Sequence, residues 1–246
     1  MDDVRILDTW VAGHRQPAAR RLAMLAAAYP DLPGRRLAEL PVGYANLLLL
    51  RDRQARFGAT VEGDAQCPGC RQRLEVSVDL SGLLAGDPEP AGDREVEGEV
   101  EGEVRVGELV ARFRLPSAGD LVTVADCPDP AEASRLLLRR CVREACRGTE
   151  PVDPDRLPAE LVAALDAELA RRDPLADLRL SINCAGCRHS FELVLDPAAL
   201  YWAELAERAR RLLFEVHRLA RAYGWTESEI LGIHPVRRAA YLELVG

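Results

Sequence analysis

Four of the seven cysteines form two C-x-x-C pairs, Cys67 with Cys70 and Cys184 with Cys187. Thiolate sulfur is a preferred ligand in closed structural zinc sites, and one C-x-x-C pair supplies two of the four ligands that a tetrahedral site requires. Two pairs that face each other complete the set. The sequence therefore predicts one structural zinc ion bound by all four of these cysteines.

The two pairs lie in copies of one segment, displaced by 117 residues between Cys67 and Cys184. The first copy reads CPGCRQRLEVSVDLSGLL and the second reads CAGCRHSFELVLDPAALY. After the second cysteine of each copy, apolar residues alternate with polar ones, which is the period of a β-strand. We therefore expect each pair at the turn of a hairpin, where the shared glycine relieves crowding and tolerates the tight turn.

Three other kinds of site use similar residues. A redox C-x-x-C normally begins a helix, which lowers the pKa of its thiol, whereas these pairs lie between predicted strands. A catalytic zinc keeps one position open for water and rarely uses four thiolates. A zinc ribbon that binds nucleic acid gains support from Arg71, Arg73 and Arg188, but the net charge of −8 and the aromatic content of 5% disfavour it. The ribbon and a thiol–disulfide oxidoreductase stay open as alternatives.

The remaining cysteines and histidines show no spacing typical of a site. Cys127, Cys141 and Cys146 are expected to be buried structural thiols. His189 follows Cys187 and could replace a ligand, but we expect it on the surface of the second strand. Since no Ser/His/Asp set, phosphate-binding loop or pair of catalytic acids stands out, we expect no catalytic residues and a protein that is not an enzyme.

Composition and charge limit the cellular compartment and the classes of partner that we expect for the protein. The chain has 246 residues and is 48% hydrophobic, which is enough for one sizeable core or two small ones. Its first 20 residues contain no secretory signal, and the apolar run Leu47–Leu50 is too short to cross a bilayer. We therefore expect a soluble cytoplasmic protein without membrane insertion and, given the negative net charge, without affinity for nucleic acid.

Hydrophobic periodicity and caps predict a helix-rich α+β fold with a long C-terminal helix. Helices are expected over 4–29 with breaks near Gly13 and Pro17, and over 37–57, 118–125, 130–147, 157–172, 197–223 and 235–245, with a further short helix that begins at Thr226. Strands are expected over 59–66, 73–80, 104–106, 110–115, 178–183 and 190–195. We divide the chain into segments 1–36, 37–84, an acidic linker or insert at 85–103, 104–176 and 177–246, which zinc would join into one compact domain.

The long helix carries a seam of apolar residues at alternating spacings of three and four. Its members are Trp202, Leu205, Ala209, Leu212, Val216, Leu219 and Tyr223. Because Leu213 and Ala220 widen the seam, packing on the protein's own core is one interpretation. A face that binds a partner protein is the other, and three heptads do not decide between them.

Parts of the sequence resemble a known family. The stretches LAELPVGYANLLLLRDRQARFG and FRLPSAGDLVTVA, and the chain from CAGCRHSFELVLD through AYGWTESEILGIHPVRRAAYLELV, are similar to baseplate hub assembly proteins, or chaperones, of contractile-tailed phages and related injection systems. The resemblance covers 37–246 and is most specific in the C-terminal half. It implies a non-enzymatic role in building a baseplate, with baseplate or hub proteins as partners, and many such sequences carry C-x-x-C pairs.

Overall fold

The computed structural model describes residues 2–84 and 101–245 of the chain. Its first part is helical and consists of α1 (Asp3–Arg15), a 3₁₀ turn (Pro17–Ala19), α2 (Arg20–Ala28), α3 (Gly34–Glu39) and α4 (Val42–Phe57). A first hairpin follows, built from β1 (Thr60–Gln66) and β2 (Arg73–Asp79), and then the short α5 (Ser81–Leu84). The expected linker at 85–103 lies outside the described residues except for 101–103, which are not linker but the first residues of a strand.

The middle of the chain forms a small antiparallel sheet covered by helices. Its elements are β3 (Glu101–Val106), β4 (Leu109–Arg114), α6 (Ala118–Val124), α7 (Pro130–Cys141), β5 (Val142–Arg147), β6 (Glu150–Pro151) and α8 (Ala159–Arg172), and the strands lie in the order β3–β4–β5–β6. The last part contains β7 (Leu178–Asn183), β8 (Ser190–Leu195), α9 (Pro197–Tyr223), α10 (Glu227–Gly232) and α11 (Pro235–Leu244). The expected α+β class is confirmed.

Two apolar clusters account for most of the core. The first joins α1, α2, α3 and α4 to the N-terminal half of α9, with Met24, Leu25, Leu49 and Leu212 fully buried. The second packs α7 and α8 on one face of the β3–β6 sheet. A buried carboxylate links the two regions, because Asp173 accepts a hydrogen bond of 2.9 Å from the backbone N–H of Gly43.

Two buried arginines form ion pairs between elements that are distant in sequence. Arg238 of α11 has a side chain only 2% exposed, and it pairs with Asp3 of α1 and, at 2.7 Å, with Glu215 of α9. Arg53 is equally buried and pairs with Glu204 of α9 at 2.6 Å. A buried arginine is stable only where its charge is matched, so these pairs fix where α11 and α4 lie against α9.

Local signals account for the long helix. The side chain of Asp196 accepts hydrogen bonds from the N–H groups of Ala198 and Ala199, and Pro197 occupies the first helical position. Gly224 ends the helix with a φ of 73°, in the left-handed region that favours glycine. The bounds of α9 match the prediction because a cap, a proline and a glycine mark them.

Three expected boundaries are wrong. Gly13 lies inside α1, which runs on to Arg15, and its lack of a side chain makes room for Trp202. The helix expected over 37–57 is two helices, since Pro41 separates α3 from α4. The segment Val142–Arg147, expected to be helical, is strand β5 and pairs with β4.

Candidate metal centre

The four cysteines of the C-x-x-C pairs meet at one place. Their sulfur atoms all lie within 4.8 Å of one another. Across the two hairpins, Cys67 Sγ lies 3.6 Å from Cys187 Sγ, and Cys70 Sγ lies 3.7 Å from Cys184 Sγ. Four sulfurs placed tetrahedrally at about 2.3 Å from a zinc ion are about 3.8 Å apart, whereas a disulfide requires about 2.05 Å. The thiols are therefore free and spaced for a metal ion.

Each C-x-x-C pair sits in the same backbone turn. The N–H of Arg71 donates to the carbonyl of Cys67 at 2.8 Å, and Arg188 repeats that bond to Cys184 at 2.8 Å. Both arginines have a φ of 61°, in the left-handed region that L-residues seldom adopt. The shared arginine is thus the residue at which the chain reverses to leave the site and enter the second strand of its hairpin.

The shared glycines allow the two turns to approach each other. A Cβ atom added at Gly69 would lie 3.2 Å from the side chain of His189, and one added at Gly186 would lie 2.1 Å from Oε1 of Gln72. Each glycine therefore faces the opposite turn. Neither has a positive φ. Their role is to leave space between the turns, whereas the unusual backbone conformation belongs to Arg71 and Arg188.

Two hairpins hold the turns in place. β1 pairs with β2 in register from Thr60–Asp79 to Gln66–Arg73, and β7 pairs with β8 from Leu178–Leu195 to Asn183–Ser190. A small apolar cluster lies beside them, formed by Leu50, Val61 and Leu80 with Val78, Leu178, Leu195 and Leu200 packed around it. This cluster joins α4, the start of α9 and the ends of both hairpins that are remote from the cysteines, and so it fixes the two hairpins relative to each other.

The site is buried on one side and open on the other. Cys67 is 0% exposed and Cys184 is 2% exposed, whereas Cys70 and Cys187 reach the surface. A metal ion at the centre would therefore be partly covered by protein, with one sulfur of each pair towards solvent. All four sulfurs point at the same volume, and this leaves no obvious position for water or substrate.

The thiols cannot easily ionise together without a cation. The backbone N–H groups of Cys187 and Gly186 lower the pKa of the Cys184 thiol to about 7. The pKa of the Cys187 thiol is instead raised to about 12, because the N–H of His189 favours its thiolate but the neighbouring thiols, Cys70 foremost, oppose it. Four thiolates this close repel one another, and a bound dication would offset the repulsion and replace their protons.

The other cysteines and histidines lie outside this cluster. The pKa of Cys141 is raised to about 11 because the thiol is buried. Cys127 and Cys146 are only half-buried, so the expectation of three buried thiols is right for Cys141 alone. His189 stacks on Phe191 with ring centroids 6.4 Å apart and is not among the clustered metal ligands of the described residues.

The geometry bears on the two alternative functions, a thiol–disulfide oxidoreductase and a zinc ribbon that binds nucleic acid. All four cysteines lie at hairpin turns and none lies at a helix N-terminus, which removes the usual means of activating a redox thiol. Of the three arginines that favoured a nucleic-acid ribbon, Arg73 is paired with Asp64 at 2.6 Å. Arg71 and Arg188 are exposed at the turns.

The apolar seam of α9 is largely internal. Leu205, Ala209, Leu212 and Leu219 are buried, the first three of them in the first core cluster. These four residues are therefore not available to a partner in the folded chain, which corrects their assignment to a binding face. Trp202 and Val216 are half-buried, and Tyr223 is exposed at 38% beside Trp225.

The opposite side of α9 carries a residue that the seam pattern did not single out. There Phe214 is 62% exposed among arginines. The sequence could have predicted this exposure, because an aromatic residue that lies outside the apolar seam of an amphipathic helix must lie on its polar face.

Comparison of the chain with protein-family models, with curated proteins and with solved structures finds no match. Within the part of the chain that the structure describes, no helix combines the length and apolar character needed to cross a membrane.

Proposed function

We propose that Cys67, Cys70, Cys184 and Cys187 bind one structural zinc ion. The separations of 3.6 and 3.7 Å between sulfurs of opposite hairpins carry this proposal, since they match the edge of a zinc–thiolate tetrahedron. A site closed by four thiolates has no open position for water, so its zinc stabilises the fold and takes no part in catalysis. Thiolate ligands also favour zinc over magnesium or calcium, which prefer oxygen.

Metal analysis of the purified protein tests the site. Protein purified without chelator is expected to contain about one zinc ion per chain, as a single four-cysteine site requires. The Cys184→Ser variant should lose it, while Cys127→Ser, which changes a thiol outside the cluster, should keep it. Zinc-free wild-type protein with four reactive thiols, or another metal at full occupancy, would refute the assignment.

We further propose that the zinc-stapled protein is a non-enzymatic assembly factor or minor structural component of a contractile phage tail or injection-system baseplate, where it binds a hub component. The sequence resemblance over 37–246 supports this role. Its most specific motifs build the C-terminal cap: Thr226 and Glu229 of GWTESEIL form a capping box, and Arg238 of the RRAAYL motif is the buried arginine of α11. We propose that the protein acts in the cytoplasm of the producing cell.

Deletion of the gene tests this role. We expect the deletion strain to lack assembled particles, or to make stunted ones, while free sheath and tube subunits accumulate. Wild-type protein supplied from a plasmid should restore assembly, and Cys184→Ser, which should be strongly destabilised, should restore it poorly. Normal numbers of intact, functional particles from the deletion strain would contradict the proposal.

A further inference from the structure

The outward side of α9 carries one exposed aromatic ring within a row of arginines. Phe214 is 62% exposed, although the face of α9 opposite to it is buried in the core. Residues at helical spacings of three, four and seven from Phe214 lie on the same side of the helix. We call this surface the Phe214 stripe; its members are Glu207, Arg210, Arg211, Phe214, His217, Arg218 and Arg221.

The stripe is positively charged on a chain whose net charge is −8. Arg210 and Arg211 share one carboxylate, that of Glu207, at 3.1 and 3.0 Å. Arg218 and Arg221 form no ion pair with any residue that the structure describes. Four guanidinium groups thus lie near the carboxylate of Glu207, since Glu215 beside them is already paired with Arg208 and Arg238, and this leaves a surplus of positive charge around the ring.

The ring has few contacts within the protein. Arg218 lies over its face at 5.8 Å from the centroid, and the backbone carbonyl of Leu242 holds that guanidinium at 3.1 Å. Leu213, next to Phe214, is also exposed at 37%. A shallow cleft of about 440 Å³ lies beside the ring, lined by Glu207, Arg210, Arg211, Phe214 and Glu215. An apolar surface with a charged rim is the usual anatomy of a protein-binding hot spot.

We propose that the Phe214 stripe docks an acidic segment of a partner protein, which sets an apolar side chain beside Phe214 and carboxylates against the arginines. Arginine fork geometry suits bidentate pairing with carboxylates. The charge surplus selects an acidic partner and would speed its association. This inference rests on the proposed function and adds to it the binding face and the chemistry of the hub component.

Protein is favoured over nucleic acid as the occupant. The positive charge of the stripe would attract either kind of anionic partner, so the apolar part of the surface decides between them. Single-stranded nucleic acid is usually bound on several stacked Phe, Tyr or Trp rings, whereas Phe214 is the one such residue of the stripe. The Arg210 and Arg211 side chains are also already oriented by Glu207.

Site-specific photo-crosslinking in particle-producing cells tests the proposal. Phe214 is replaced by p-benzoylphenylalanine, and Val236, which is 73% exposed on α11, carries the same probe as a matched control. We expect a crosslink from position 214 and none to the same protein from position 236. The crosslinked peptide should contain more Asp and Glu than Lys and Arg, with an apolar residue at the crosslink.

Binding of the purified crosslinked protein gives the second measurement. Phe214→Ala and Arg221→Glu should each weaken binding about tenfold or more, and Val236→Ala should leave it within about twofold. Because these side chains are exposed, the thermal unfolding midpoint of each variant should match that of the wild type. Binding by the wild type should also weaken as salt concentration rises.

Several outcomes would overturn the proposal. They are the absence of a crosslink specific to position 214, a neutral or basic crosslinked peptide, a crosslink to a second copy of this chain, and equal affinity of Phe214→Ala and wild type. A gel shift with DNA or RNA that Phe214→Ala abolishes would assign the stripe to nucleic acid instead.

The same experiment separates this proposal from the proposed function. An acidic partner bound at Phe214 that is no tail or baseplate protein would refute the baseplate role and keep the docking face. A baseplate protein that binds the chain with no dependence on Phe214 would refute the docking face and keep the role.

Discussion

If the four cysteines bind zinc as proposed, loss of one of them should destabilise the whole protein and not only the hairpin that carries it. Cys70 and Cys184 lie 114 residues apart, so a metal ion that joins them closes a loop of nearly half the chain. The chain-entropy relation for a cross-link of this length gives about 5 kcal/mol at 25 °C. Domains have total stabilities of about 5–15 kcal/mol, so Cys184→Ser should remove a large part of the free energy of unfolding.

Urea denaturation followed by tryptophan fluorescence measures this effect. Trp10 and Trp202 pack against the first core cluster, remote in sequence from the first hairpin, and so they report unfolding of the core. We expect Cys184→Ser and chelator-treated wild type to lose similar amounts of unfolding free energy, up to about 5 kcal/mol. Cys127→Ser is the matched control and should change it by no more than about 0.5 kcal/mol.

Two results would refute the reasoning. If Cys184→Ser lies within about 1 kcal/mol of wild type, the metal does not act as a long-range cross-link. If a separate early transition appears in the variant while the tryptophan transition stays unchanged, each hairpin unfolds by itself. The apolar cluster around Leu50, Val61 and Leu80 would then be the contact that joins the hairpins.

Three further substitutions test the fold. Burial alone would raise the pKa of Asp120, but hydrogen bonds from arginines and a backbone N–H hold that pKa well below its usual range. Ionised Asp120 therefore stabilises the fold above its unfolded pKa of about 3.9, and this stabilisation is lost as the pH falls below that value. Asp120→Asn should therefore cost about 2–3 kcal/mol at pH 7 in urea denaturation, and the loss should shrink below pH 4; an equal loss at both pH values would contradict it. Arg238→Ala leaves two carboxylates without their buried partner and should cost about 3–5 kcal/mol, with faster amide exchange in α11; wild-type exchange rates there would contradict it. Gly13→Ala places a Cβ 2.4 Å from the Trp202 ring and should cost about 1–3 kcal/mol in thermal unfolding, whereas Gly34→Ala, with nothing within 4 Å, should cost nothing; equal effects of the two would contradict it.

Local sequence signals predicted the elements around the second C-x-x-C pair well. The bounds of β7, β8 and α9 agree with the expected 178–183, 190–195 and 197–223. Strand alternation, an aspartate cap and a glycine stop all act within a few residues, so they can be read from the chain alone. Pro41 was an equally local signal, and the break between α3 and α4 follows from it.

Non-local contacts explain the features that the sequence did not predict. Val142–Arg147 continues the helical spacing of α7, yet it is a strand because β4 offers a partner and Val142 and Ala145 are buried in the sheet cluster. Which element covers an apolar face is also a tertiary property. The seam of α9 was visible in the sequence, but only the fold shows that α1 and α4 cover it.

Four kinds of residue shared by the two copies have a structural task. Cysteine supplies sulfur, glycine leaves space for the opposite turn, and arginine adopts the left-handed conformation. The shared aspartate caps the helix after its hairpin, since Asp79 accepts from the N–H of Ser81 at 2.8 Å and Asp196 from that of Ala198 at 2.9 Å. The repeated unit is therefore a hairpin together with the start of a helix.

The copies diverge after that unit. The first leads into the four residues of α5, and the second leads into the 27 residues of α9. A two-stranded hairpin is at best marginally stable alone, so neither copy could hold its cysteines in place without the other. A metal ion shared by the four cysteines would make each hairpin the support of its counterpart. Since α9 begins at the second hairpin, the same ion would also fix the start of the helix whose outer side carries the Phe214 stripe.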